Sequence, residues 1–533
     1  MGHAAGRRFV GVLALSVVPL LGMQLAGCRT SEDDIERWTH TAQGPRKLVS
    51  VLTHDKYSLE QRVDAAMALV RMKPRSGKAI GILGQDDQMG LLAALESLTP
   101  GERQKIVTEM VPRLEAAMKQ EPPKAQAGQA AADPSFPYKD AAFGLLTHAD
   151  GGLVQSEELK QRLRVALADW CMTNFGDRLD DSSQLYGVEQ VLRELGAPGV
   201  AKLPVQIDSN AKKIDKMADL VADLGDDAAK LEASKRLVQV AAEIDSERWV
   251  KQKSPLVDAA NKASKLNPTP DQFKAQLDQY QEEELLRIFA SMKKVGGKPV
   301  GEFLLTYAQN KDKPEKRRAA ALAALEGNVD RTDAQQVARV LDIASAADTP
   351  DAIRDVALRR VGELPRKLVA ERLYGLFGNE NWKIRWVAAE LLLKMGDTSN
   401  VDEFMRKISG VRGMAITEPL RYGAILGELK GKEKGPDLAD KYAARTYAVE
   451  ARLSALGYYY EHGTKEMLAK VAPYEEDRSR TPRCLPNVAD CEWQCAVGEG
   501  QAQQLKDVTT LGEFVKYCVK PAMEKRSPAP PKK

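Results

Sequence analysis

The sequence has little excess charge of either sign. Its 533 residues contain 78 lysines and arginines against 75 aspartates and glutamates, a formal net charge of +3. So balanced a chain implies neither a nucleic-acid partner nor an anionic surface. Aromatic residues are also scarce, at 6%, whereas Ala, Leu, Lys, Glu and Asp fill most windows. This composition favours helices.

Motifs of catalysis and cofactor binding are absent from the sequence. It has no P-loop, no Rossmann fingerprint and no GxSxG nucleophile elbow. Histidine occurs five times, and His40, His54, His148 and His462 lack HExxH or any paired ligand spacing. We therefore predict a non-enzymatic protein without a metal or a cofactor.

One apolar run, from Phe9 to Met23, follows the pair Arg7-Arg8. It is shorter than the ~20 residues of a bilayer span, and a positive pair before a short apolar run is typical of a secretory signal. The run leads into Leu-Ala-Gly-Cys at 25–28, which resembles the lipobox of bacterial lipoproteins. The resemblance implies cleavage before Cys28 and lipid on that residue, where several acyl chains give stable anchoring. An uncleaved apolar anchor is the alternative.

The lipobox resemblance also implies a location. The mature chain would be held by lipid on a membrane of the bacterial cell envelope and would face the periplasm. Arg29 stands where the inner-membrane retention signal has Asp. The outer membrane is therefore expected rather than the inner one.

Similar helical segments recur along the chain. The clearest, IRWVAAELLLKMGD at 384–397, has apolar residues three and four positions apart, the stripe of an amphipathic helix. A related segment, IRDVALRRVGEL, begins 31 residues earlier at Ile353. Both place an arginine before small residues and leucines, and the first ends in Gly-Asp. Further matches lie near residues 60, 215 and 317, with weaker ones near 190, 421 and 450.

These segments resemble HEAT repeats, especially the shorter HEAT-like repeats of phycobilin lyases. The resemblance implies an all-α fold, an α-solenoid of stacked helical hairpins. Alanines would let helices approach closely, leucines would fill the layer between them, and the glycine would end the helix in the left-handed conformation. We expect the repeat arginine, such as Arg385, to bridge neighbouring units rather than bind a ligand.

The composition and the residues typical of helix starts and loops divide the chain into seven segments. Thr99 and Thr269, each followed by Pro, are expected to begin helices. The predicted segments are a signal peptide (1–27), an N-terminal HEAT-like block (28–120), a Pro/Ala linker or loop (121–137), a helical repeat region (138–310), a HEAT-like array (311–475), a Cys-rich helical cap (476–522) and a disordered tail (523–533).

Four cysteines, Cys484, Cys491, Cys495 and Cys518, cluster near the C-terminus. In an exported protein we expect them to form two disulfides whose pairing is open, with each of Cys491 and Cys495 bridging elsewhere and Cys518 on a helix from about Leu511. A four-thiolate zinc site is the alternative, although the spacing lacks two short knuckles. Cys171 is expected to be a buried, inert thiol.

Lipobox and repeats together predict a membrane-tethered, non-enzymatic scaffold that binds protein partners in the envelope. A carrier or chaperone-like protein with an apolar groove, or a passive structural spacer, is the second possibility. An enzyme of the lyase kind is a distant third, because no nucleophile, metal set or cofactor loop is visible.

Overall fold

The computed structural model describes residues 30–74, 79–85, 88–120, 133–180, 184–346, 348–409, 411, 414, 416–429, 431–482, 493–497 and 504–526. Helices dominate this part of the chain, as the composition predicts. The chain forms two compact units, residues 1–195 and residues 196–533. In the described part, no helix is both long and apolar enough to cross a membrane.

The described residues of the first unit contain ten helices and one short pair of strands. The helices are Glu32–Trp38 (α1), Gly44–Thr53 (α2), Leu59–Arg71 (α3), Ile80–Leu83 (α4), Leu91–Glu96 (α5), Pro100–Met118 (α6), Phe136–Thr147 (α7), Glu157–Met172 (α8), Phe175–Asp180 (α9) and Val188–Leu195 (α10). Strands Gly84–Gln85 (β1) and Gln88–Met89 (β2) pair antiparallel between α4 and α5.

Helix α6 holds the first unit together by packing on α3, α7 and α8. Arg162 of α8 forms an ion pair with Glu115 of α6, with Nη2 and Oε2 2.6 Å apart. The helices on both sides of 121–137 therefore contact each other, so this segment connects parts of one unit. The boundary between the units falls instead at Leu195, inside the region predicted as 138–310.

The second unit begins with a long series of helices. They are Ala197–Val200 (α11), Ile214–Leu224 (α12), Asp227–Ile244 (α13), Glu247–Ala263 (α14), Pro270–Val295 (α15), Lys298–Gln309 (α16), Glu315–Ala324 (α17), Ala334–Ser345 (α18), Asp351–Val361 (α19), Arg366–Gly375 (α20), Trp382–Lys394 (α21), Val401–Ile408 (α22), Thr417–Leu426 (α23), Gly435–Ala443 (α24), Val449–His462 (α25) and Leu468–Val471 (α26). Short 3₁₀ turns occur at Pro204–Gln206, Leu376–Gly378, Thr398–Asn400, Lys432–Lys434, Lys465–Met467 and Ala472–Tyr474.

From α15 onward these helices stack in two layers. α16 packs on α17, α18 on α19, α20 on α21 and α24 on α25, so each pair is a helical hairpin. α15, α17 and α19 contact one another in turn, as do α21, α23 and α25, and α16, α18 and α20 form the opposite layer. This arrangement is the expected solenoid of stacked hairpins.

Two predicted helix starts are confirmed. Thr99 is the N-cap of α6, and Thr269 forms a capping box with Gln272 at the start of α15. The glycines at the repeat ends only partly follow the expectation. Gly196 has a φ of 65°, whereas Gly225 ends α12 at −68°. A side chain at Gly225 would press on the carbonyl of Val221, so close approach explains this glycine.

The C-terminal element differs from the expected helical cap because it contains a β-hairpin. Strands Gln494–Val497 (β3) and Gln504–Asp507 (β4) pair antiparallel, with Cys495 opposite Lys506. Helix Leu511–Phe514 (α27), a π-helical turn at Val515–Val519 and helix Lys520–Glu524 (α28) follow. The π-helical turn and α28 pack on α25, and Phe514 of α27 contacts the ring of Tyr460. Met523 is fully buried, so ordered structure extends beyond residue 522, where the disordered tail was predicted to begin.

Candidate functional site

The repeat arginines bind the backbone of the helix that precedes them. In four hairpins the side chain donates to a carbonyl nine or ten residues earlier, at or near the end of the first helix. The bonds are Arg62 Nε to Leu52 O (2.8 Å), Arg318 Nε to Ala308 O (2.8 Å), Arg354 Nη1 to Ala344 O (3.2 Å) and Arg452 Nε to Ala443 O (3.3 Å). The last carbonyls of a helix lack partners within it and form the negative end of its dipole. These arginines therefore close hairpins.

Arg385 additionally joins two hairpins, as expected. Its Nη2 lies 2.7 Å from Oε1 of Glu418 and its Nε 3.2 Å from Oε2, so α21 is linked to α23. Both side chains are buried. Nη1 donates to the carbonyls of Asn379 and Glu380. The repeat arginine is thus part of the framework.

The predicted cysteine sites lie partly outside the described residues, which include neither Cys28 nor Cys484 nor Cys491. Cys495 and Cys518 form a disulfide that joins β3 to the π-helical turn after α27. Cys518 lies on the expected helical segment, whereas Cys495 lies on a strand rather than on a helix. Because both sulfurs of this disulfide are oxidised, Cys495 and Cys518 are not available as ligands for the alternative zinc site with four thiolates. A bond between Cys484 and Cys491 remains a prediction.

The histidines are scattered. Nε2 of His148 lies 3.0 Å from Oε2 of Glu96, and His462 contacts the carbonyl of Ala424. His40 and His54 are exposed. Over the ranges that the structure covers, no group of three or more His, Cys, Asp or Glu side chains could hold a metal ion.

A buried polar cluster surrounds Trp170 in the first unit. Arg178 lies over the indole ring at 4.0 Å, and its Nη2 is 2.9 Å from Oδ2 of Asp133. Fully buried Lys139 donates to Oδ1 of Asp140 at 2.5 Å. These groups satisfy one another and hold α7, α8 and α9 together.

Cys171 lies beside this cluster and is buried, as expected. Burial raises the pKa of its thiol to about 12, and the nearby charges of Lys139 and Arg178 oppose the rise only in part. A thiol in this state stays protonated at neutral pH and is a poor nucleophile.

An apolar groove lies between α18 and α20, two helices of the same layer. It encloses about 210 Å³. Val337 and Leu341 form its buried floor, and Leu368, 42% exposed, forms one wall. Arg331 and Arg372 line it as well, and Arg372 Nη1 lies 2.5 Å from Oδ1 of Asp342. The site combines exposed apolar surface with the charge of Arg331 and the Arg372–Asp342 ion pair at its rim, features of an interface core with a polar border.

A second concavity, of about 410 Å³, lies between α1, α3 and α6 in the first unit. Its lining is mainly acidic: Glu32, Asp33, Glu36, Glu60 and Asp64, with Arg71, Arg113 and Ile35. Arg71 pairs with Glu36 at 2.7 Å and Arg113 with Asp64 at 2.6 Å. These pairs brace α3 against α1 and α6.

Sequence reasoning identified none of the groove residues. Leu368 and Arg372 are four positions apart on α20, a spacing that places them on one face. An exposed leucine and a buried one look alike in the sequence. Only the packing of α18 beside α20 shows that Leu368 is exposed while Leu341 is buried.

Comparisons with known proteins identify no relative by sequence. No protein-family model matches the chain, and no curated protein matches it. Among solved structures, Kap121p aligns with a TM-score of 0.24 at 12% identity, covering 83% of this chain and 43% of Kap121p. A mutant of Kap121p and Kap121p bound to Nup53p align with TM-scores of 0.23 and 0.24 at 11% identity and the same coverage. The chain thus spans less than half the length of Kap121p.

Proposed function

We propose that the protein is a membrane-anchored lipoprotein of the bacterial cell envelope that acts as a non-enzymatic scaffold for a protein partner. The groove between α18 and α20 is the observation that carries the binding role. It lies on a stack of hairpins held together by buried arginine bridges, and such a stack presents its surface without large rearrangement.

The size and lining of the groove favour a protein side chain as its occupant. Pockets for small ligands usually enclose roughly 300–1,000 Å³, more than the 210 Å³ here. An apolar side chain of the partner would contact Leu341 and Leu368, and a neighbouring carboxylate would face Arg331. The same size makes a carrier of bulky apolar cargo the less suitable alternative.

The anchor is proposed from the lipobox that ends at Cys28. Lipid on this residue would hold the scaffold at the outer membrane, with the hairpins in the periplasm. A non-enzymatic role agrees with the chemistry of the buried ionisable groups beside Trp170, since Lys139 and Arg178 are paired and the Cys171 thiol has a raised pKa.

The partner can be trapped by a photo-crosslinking amino acid placed at position 368 in living cells, followed by affinity purification through a C-terminal tag. We expect one dominant crosslinked protein, lost when Ala338→Trp fills the groove. The matched control places the same crosslinker at Leu231 on α13, which is similarly exposed at 46%. Equal crosslinking at 231 and 368 would contradict the groove as the binding site.

The anchor is tested separately by Cys28→Ser behind a standard periplasmic signal. We expect the variant to move from the membrane fraction to the soluble periplasm and its yield of crosslinked partner to fall. Unchanged membrane retention would count against lipidation at Cys28 without bearing on the groove.

A further inference from the structure

Helix α14 has leucine and lysine side chains that are exposed to solvent. The helix is anchored near both of its ends. The Trp249 ring stacks on Tyr280 of α15 at 5.4 Å between centroids, and Asn261 Nδ2 donates to Gln276 Oε1 at 2.8 Å. On the open side, Leu256 is 60% exposed, and Leu266 just after the helix is 54% exposed.

The charge around these leucines is mostly positive. Between 247 and 265 the cations are Arg248, Lys251, Lys253, Lys262 and Lys265, and the acids are Glu247 and Asp258. The balanced charge of the whole chain, from which we expected no anionic surface as a partner, hides this local excess. Lys251 and Lys262 form ion pairs with Glu247 at 3.9 Å and with Asp258 at 2.6 Å, and their side chains are still 80% and 75% exposed. Because the segment has five cations and two acids, an excess of three positive charges is left.

Leucine and lysine share one side of α14. Exposed positions 252, 256, 259 and 263 are spaced by four, three and four residues, which places them on one face. Lys251 and Lys262 each lie one residue before a member of this set, along its border. The four positions are Gln252, Leu256, Ala259 and Ala263, so the helix presents one leucine and two alanines with lysines along their border.

We propose that this face of α14 binds the surface of an anionic lipid bilayer. Apolar side chains with bordering lysines are the pattern of helices that lie in a membrane interface, where lysine attracts anionic headgroups. Protein interfaces are depleted in lysine and rich in aromatic residues and arginine; here the cations are four lysines and one arginine, and the exposed apolar residues are leucine and alanine. This contact needs no acyl chain, so it goes beyond the anchor proposed at Cys28.

The test uses the chain from Arg29 to Lys533, which keeps every described helix and carries neither signal segment nor lipid. Its co-sedimentation is measured with vesicles in which one lipid in three is phosphatidylglycerol and the rest phosphatidylethanolamine, and with vesicles of neutral phosphatidylcholine. We expect binding to the anionic vesicles alone, and its loss at about 0.5 M salt, where screening is strong.

Two variants locate the contact. Lys251→Gln with Lys262→Gln is expected to lower the partition coefficient roughly fivefold for each lysine neutralised, and Leu256→Gln with Leu266→Gln roughly tenfold. The matched controls are Lys105→Gln with Lys383→Gln, and Leu59→Gln, all at exposed positions elsewhere. Because the substituted side chains are exposed, circular-dichroism melts should be unchanged.

Three results would overturn the proposal. They are no binding to anionic vesicles, equal binding to neutral ones, and equal losses in the control variants. Binding of an acidic protein instead of vesicles, through the same lysines, would reassign the face to a protein partner.

Discussion

Arg385 and Glu418 form an ion pair across two consecutive hairpins with both side chains withdrawn from water, at 2% and 0% exposure. Removal of one partner leaves the other charge buried and unpaired, which typically costs about 3–5 kcal/mol. We expect Arg385→Ala to lower the free energy of unfolding by that amount in urea titrations.

A double variant distinguishes the loss of the ion pair itself from the cost of leaving one charge buried without its partner. Arg385→Met with Glu418→Leu should recover most of the loss, because two apolar side chains replace two charges. Recovery should be incomplete, since the carbonyls of Asn379 and Glu380 lose their donor. Arg372→Ala, at an exposed pair, is the control and should change stability far less. A double variant as unstable as Arg385→Ala would contradict this account.

Gly423 permits the close contact between α23 and α25. A methyl group there would collide with the carbonyl oxygen of Ser454, a backbone atom that cannot rotate away. We predict that Gly423→Ala strongly lowers the melting temperature by forcing the two helices apart.

The matched control for Gly423 is Gly375→Ala. Gly375 ends α20, and nothing lies within 4 Å of the position a methyl group would take. This change should stabilise the protein by about 0.4–1 kcal/mol, because alanine has less conformational freedom to lose on folding. Equal effects of the two substitutions in thermal melts would exclude helix contact as the reason for Gly423.

The disulfide between Cys495 and Cys518 closes a loop with a sequence separation of 23 residues. A loop of this size stabilises the folded state by about 3 kcal/mol through the unfolded chain. We expect Cys495→Ser, Cys518→Ser and the double variant to lose similar stability in urea titrations, because each removes the same bond. A double variant clearly less stable than both single ones would show that the sulfurs act separately.

Peptide mapping under non-reducing conditions tests the remaining cysteines. We expect a second linked peptide containing Cys484 and Cys491. Free thiols at both positions, or zinc bound through them, would reject that second bond while leaving Cys495–Cys518 in place.

The raised pKa of the Cys171 thiol should make the free energy of unfolding depend on pH. Its folded pKa, about 12, lies above the ordinary value of 9.0. Below pH 9 the Cys171 thiol is protonated in both the folded and the unfolded chain, and its full contribution to stability is present. Above pH 9 the thiol of the unfolded chain loses its proton first, so the free energy of unfolding falls by about 1.4 kcal/mol per pH unit towards pH 12.

Urea unfolding at pH 9 and pH 10, with and without Cys171→Ala, measures this effect. The variant should lose less stability between the two pH values, because other titrating groups contribute equally to both proteins. The cavity left by the sulfur lowers stability at each pH without changing the slope. Equal slopes would mean that the thiol titrates normally in the folded protein.

The repeat spacing predicted the helical hairpins because each segment carries its own apolar period and helix stop. The stripe predicted for α21 was Ile384, Val387, Ala388, Leu391, Leu392 and Met395. Of these, Ile384, Ala388 and Leu392 are buried as predicted. Arg385 was treated as polar although it is buried, and Ala389 and Leu393 are buried while Val387 and Leu391 are half-exposed.

Other features depend on contacts between segments, which the pattern within one segment does not contain. The hairpin at Cys495 was missed because cysteines four residues apart fit a helical face equally well. The groove at Leu368 and the exposed Leu256 arise from which helices pack beside α20 and α14. The positions of the apolar residues within each helix were therefore predicted more accurately than the helices against which they pack.

Partly exposed ion pairs also link α16, α18 and α20, the layer that contains the groove, and continue from there to α22 and α24. They connect Glu302 with Arg339, Asp342 with Arg372, Glu403 with Arg366 and Asp402 with Lys441. Each joins residues 30 to 39 positions apart, so each link ties a helix to one in a neighbouring hairpin. Because each hairpin contacts only its neighbours, we expect a pulling force to unfold the array hairpin by hairpin.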